Sequence, residues 1–102
     1  MKKKYAFVLM GREYQPDIHR ARFESARQIT YICTVRDLNG AVHEVEALWR
    51  QGIGAIELCG AFGREDAERM RRLTNNEVAI GYVVHEPCMD DAFDKFFSER
   101  GR

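Results

Sequence analysis

Glu57 is the one charged side chain in the apolar run Ala55 to Cys59, which breaks into Gly60, Phe62 and Gly63 before Arg64 opens a charged segment. A strand that passes through glycines into a helix aims free backbone N–H groups outward from the positive end of the helix dipole. That arrangement suits an anion, so Gly60, Phe62, Gly63 and Arg64 are candidate ligand-binding residues. Ordinary turn glycines are the alternative, because the CGxxG spacing is neither a Walker loop nor GxGxxG. By the two-residue period of a strand, Ala55, Glu57 and Cys59 share one face, while Ile56 and Leu58 share the other. A carboxylate in a strand covered on both faces must be paired, hydrogen-bonded or neutralised. Two roles stay open for Glu57: a general base or ligand anchor with a raised pKa, or a structural carboxylate at a subunit contact or on an arginine.

His85 closes the last apolar run and has the parity of Ala79, Gly81 and Val83. It is a candidate proton donor beside Glu57, and the two together would form an acid–base pair facing a common cavity. Cys59 precedes a helix start, where a thiolate would be favoured, which makes it a candidate nucleophile. Simple packing is the alternative, since cysteine is among the most often buried residues. His85, Glu86 and Cys88 form an H-E-x-C cluster without further ligands at a recognised spacing, so no metal and no cofactor are expected. Cys33, Cys59 and Cys88 are odd in number and lack CxxC spacing, which points away from a disulfide framework.

Four apolar runs must position these groups: Tyr5 to Met10, Gln28 to Val35, Ala55 to Cys59 and Val78 to Val84. None alternates cleanly with polar residues, as suits strands of a parallel sheet covered on both faces. Leu38, Ala41, Val42, Val45, Leu48 and Trp49 repeat with helical spacing between Asp37, a suitable N-cap, and Gly52, a suitable stop. A second helix is expected from Arg64 to about Thr74, ending at Asn75-Asn76, and a third from Asp90 to Glu99 with Phe93, Phe96 and Phe97 on one face. The segment Gln15 to Ala26 is read as a further helix, with Pro16 in its first turn and Ile18, Ala21 and Phe23 turned inward.

Strands alternating with helices over residues 1–102 predict a single α/β domain, a small three-layer α/β/α sandwich with a four-stranded parallel sheet in flavodoxin-like order 2-1-3-4. A partial β/α barrel is the alternative. In such sheets ligands bind outside the carboxyl ends of the strands. Attention therefore falls on the loops Gly11-Arg12-Glu13, Arg36-Asp37, Gly60 to Gly63 and His85 to Cys88, and adds Gly11 and Arg12 to the candidate ligand-binding residues.

The sixteen basic residues balance sixteen acidic ones, so no overall field draws the chain to nucleic acid or to an anionic membrane. No apolar run approaches the ~20 residues that span a bilayer, and the one after Lys4 is too short for a secretory signal. A cytoplasmic protein is the expectation. Four strands leave two open edges and a thin helical cover, which predicts a homo-oligomer.

The opening KYAFVLMG, the segment PDIHRARFE, the Asp-capped helix and IELCGAFG together resemble a bacterial family of short α/β proteins known as a domain of unknown function. Glu57, Leu58, Cys59, Gly60, Phe62 and Gly63 match its ELCGxFG segment, and Pro16 and His19 its loop motif. The resemblance implies the fold and the place of a site, and no activity. Two functions stay open: a small-molecule or anion site for an anionic metabolite at the strand ends, or a non-catalytic assembly or regulatory module. A cavity lined by Glu57, Gly60 and His85 would favour the first.

Overall fold

The computed structural model describes residues 1–98. The strand β1 (Lys3–Met10) runs through the centre of the sheet, and the chain then turns through Gln15 to His19 into a short strand, β2 (Ala21–Glu24). A three-residue turn leads to β3 (Gln28–Val35), followed by α1 (Leu38–Arg50), β4 (Ala55–Leu58), α2 (Arg64–Leu73) and β5 (Ala79–Tyr82). A 3-10 turn, Pro87–Met89, leads into α3 (Asp90–Ser98); Glu99, the expected last residue of that helix, lies outside the described residues.

The sheet has five strands in the order β2-β3-β1-β4-β5. The four anticipated strands are all parallel: β1 pairs with β3 along its whole length, from Lys3 opposite Gln28 to Met10 opposite Val35, and with β4 on its other side. β4 in turn pairs with β5. The fifth strand corrects the expected architecture. β2 runs antiparallel to β3, with Ala21 opposite Ile32 and Glu24 opposite Ile29, so the sheet is mixed and not the four-stranded parallel one.

The segment Gln15 to Ala26 is thus a turn and a strand, not a helix. Its residues alternate, Ala21 and Phe23 against Arg22 and Glu24, and its few apolar side chains find no core: Ile18 and Phe23 stay exposed. Pairing with β3 satisfies backbone groups that an open sheet edge would leave free. Thr34 fastens the preceding turn by donating its hydroxyl to the His19 carbonyl at 2.8 Å.

That change removes the expected third layer. The core lies on one face only, where Ala6, Val8, Cys33, Val35, Ile56 and Leu58 meet Ala41, Val45 and Leu48 of α1 and Ala67 and Met70 of α2. Asp37 caps α1 by accepting the Gly40 N–H at 2.8 Å, and Gly52 ends the helical segment with φ 88°. Asn75 and Asn76, at φ 55° and 58°, terminate α2. Trp49 donates its indole N–H to Glu77 at 3.0 Å and ties α1 to the turn before β5. No helix among the described residues is long and apolar enough to cross a membrane.

Candidate functional site at the strand ends

Because β1, β3 and β4 are parallel, their exits Gly11, Arg36 and Cys59 gather at one end of the sheet. The Gly11 N–H donates to the Val35 carbonyl at 2.9 Å, which holds the first exit against the second. The Tyr14 ring packs where a side chain at Gly11 would stand, 2.9 Å from an added Cβ. Beside these exits opens a cleft of about 640 Å³, bordered by Gly11 and Arg12 after β1, Arg36 to Asn39 after β3 and Ala61 after β4. A smaller hollow of about 340 Å³ shares Arg36 and Asp37 and continues past Pro16 to His43 and Glu44.

The electrostatics of the cleft follow from which charges are already used. Among the described residues neither Arg12 nor Arg36 has an ion-pair partner, and both are exposed. The Asp37 carboxylate is engaged by the Gly40 N–H, and no acidic residue stands in the first turn of α1. The N–H groups of Leu38 and Asn39, in that turn, have no acceptor within the helix. Two guanidiniums and the positive end of a helix dipole therefore face one space, and among the described residues that line this cleft the one acid is the Asp37 cap.

The second helix start differs. Gly63 donates its N–H to Asp66 at 2.8 Å, Glu65 and Asp66 occupy the first turn of α2, and Arg64 is bound to Glu68 at 3.2 Å. Phe62 is buried in the core. Of the expected ligand-binding residues, Gly11 and Arg12 line the cleft, while Gly60, Phe62, Gly63 and Arg64 do not. Arg36 lies in the Arg36-Asp37 loop expected at the strand ends but was not named as a binding residue, and Leu38 and Asn39 are the contributors that the sequence did not point to. The available signal was an arginine at a strand exit directly before an Asp N-cap.

Glu57 projects from the sheet face that carries no helix among the described residues, and it is exposed, not buried as a doubly covered strand would have it. The Tyr5 hydroxyl donates to its carboxylate at 2.5 Å. Loss of solvent around the phenol, and then the bond to Glu57, push Tyr5 up from 10.0 to about 12. His85 has a different partner: its ring stacks on Phe93 with centroids 3.6 Å apart. Its Nε2 would come within 3.4 Å of a Cβ added at Gly60, so that glycine leaves room for the imidazole. Cys59 is half-buried and accepts the Met10 N–H at 3.4 Å. Cys33 is fully buried; loss of solvent, then the nearby Glu44 carboxylate, push its thiol up to about 12. Among the described residues no three His, Cys, Asp or Glu side chains are grouped to hold a metal ion.

The profile of the Family of unknown function (DUF6506) matches residues 3–98. The chain belongs to this family. The match spans all five strands and α1 to α3, so the cleft of this DUF6506 member lies wholly within the family domain. Comparison with curated proteins and with solved structures gives no match.

Proposed function

We propose that the protein binds a small anionic molecule, bearing a carboxylate or a phosphate group, in the cleft at the carboxyl ends of β1, β3 and β4. The observation that carries this reading is the pair of guanidiniums, Arg12 and Arg36, which among the described residues lie free of ion pairs on one cleft at the start of α1. A guanidinium presents a planar fork that matches an oxyanion with two hydrogen bonds, and the N–H groups of Leu38 and Asn39 would add donors from a third direction. The adjoining hollow would take the rest of the ligand between Pro16 and His43.

A thermal-shift series with small carboxylates and phosphate esters tests the reading, because a ligand that binds only the folded chain raises its melting temperature. At least one anion should raise the midpoint saturably, and the Arg12→Ala/Arg36→Ala double variant should lose the response. A hydrogen bond to a charged group contributes about 1.5–3 kcal/mol, so each single variant should bind roughly tenfold or more weakly. An undiminished response in the double variant would refute this site.

A second reading, an assembly module, draws on a separate observation. Among the described residues no helix covers one face of the sheet, and the exposed side chains there include Phe23.

A further inference from the structure

We infer that two copies of this chain associate by seating α3 of each on the uncovered sheet face of the other. Among the described residues, two surfaces lack a partner within one chain. Opposite Ala6 and Val8, the strands present Tyr5, Phe7 and Leu9 of β1, Ile32 of β3 and Phe23 of β2, aligned in cross-strand rows by the register. None of these belongs to the core that α1 and α2 cover. A sheet face of this composition is ordinarily closed by a second layer.

The α3 helix is the other surface. Phe93, Phe96 and Phe97 recur at the spacing of one helical face, yet Phe96 and Phe97 are 71% and 69% exposed and Phe93 is 37% exposed. The stack of Phe93 on His85 fixes the root of the helix near Gly60, and α3 packs chiefly on the 3-10 turn before it. A nine-residue helix does not hold together in water without such packing.

The two surfaces suit each other in charge and in size. Asp90 and Asp94 flank the phenylalanine stripe, while Lys3 stands on the open face at the foot of β1 and the face's one carboxylate, Glu57, is engaged by Tyr5. With phenylalanine burying ~200 Å² when covered, the exposed parts of the three rings, matched by sheet and taken twice by symmetry, come to roughly 1,400 Å². That is within the range of a standard interface. Exchange between copies closes as a two-fold dimer and uses every copy of both surfaces.

The test is light scattering on the full chain over a concentration series, with Phe96→Glu/Phe97→Glu as the helix variant and Phe23→Glu as the sheet variant. Circular dichroism checks that both fold, and neither change touches the cleft, so the result is independent of anion binding. The wild type should reach twice the 11.9 kDa chain mass, and each variant should dissociate at least tenfold more readily. An equimolar mixture of the variants should recover part of the dimer, because the mixed pair keeps one contact with both sides intact. A monomeric wild type, a dimer indifferent to both variants, or a mixture no tighter than its components would each overturn the inference.

Discussion

Glu57 and Tyr5 show how one side chain's surroundings depend on what lies over the sheet. Glu57 was legible in the sequence as the odd charge in an apolar strand, but its exposure was not, because burial is decided by the layers above a strand and not by the strand itself. Tyr5 is held neutral to about 12 against its ordinary 10.0. Its pKa is raised on folding, so its contribution to stability is complete below the unfolded value and is lost as pH climbs from 10.0 toward about 12. The denaturation midpoint of the wild type should therefore fall more steeply across that window than that of Tyr5→Phe. Equal slopes would mean that the hydroxyl titrates normally. The cysteines make a second contrast. Cys33 is fully buried with its thiol pushed up to about 12, whereas Cys88 is exposed. A thiol reagent at mildly alkaline pH should modify Cys88 promptly and Cys33 only after unfolding; rapid modification of Cys33 in the folded chain would contradict the packing described for β3.

At the scale of elements, α1 was the most legible part of the chain because its caps and its stripe agree. Asp37, the periodic Ala41, Val45 and Leu48, and Gly52 all point to one helix, and the observed span is Leu38–Arg50. Gly52→Ala should cost about 1 kcal/mol, since the left-handed backbone penalises any Cβ while no atom lies within 4 Å to clash with one. Asp37 separates capping from charge. Asp37→Ala should lose about 1 kcal/mol of stability. Asp37→Asn keeps an acceptor for the Gly40 N–H, so it should hold stability while tightening anion binding through the loss of the one opposing charge. Chemical denaturation and ligand titration of the two variants check both statements. The segment Gln15 to Ala26 was misread for the converse reason: its signals disagree. Pro16 fits a helix start, but Ile18, Ala21 and Phe23 make no continuous stripe, and the unpaired edge of β3 supplied backbone partners that no local pattern reveals.

For the molecule as a whole, the parallel β-α-β connections through α1 and α2 placed the strand exits at one end of the sheet, and this much follows from the alternation of elements alone. What the alternation did not reveal is that the first connection returns through β2, which leaves two layers in place of three. The described chain is accordingly long for its size, with extents of 43 × 27 × 27 Å and a radius of gyration of 14.3 Å, against about 13 Å for a compact chain of this length. Of the residues that border the cleft, Gly11, Arg12 and the Arg36-Asp37 loop were legible from their place at the strand exits. The proposed site centres on the start of α1 and not on the Gly60–Gly63 turn, because Glu65, Asp66 and Glu68 neutralise the one helix start while Arg12 and Arg36 line the cleft at the other.

Amide chemical shifts of the full chain, followed by nitrogen-15 NMR during titration with inorganic phosphate, test most directly the proposal that the cleft binds an anion. The account requires saturable shifts at Gly11, Arg12, Leu38 and Asn39 that vanish in the Arg12→Ala/Arg36→Ala variant. Shifts confined to Gly60 through Arg64, or none that saturate at any residue, would contradict it.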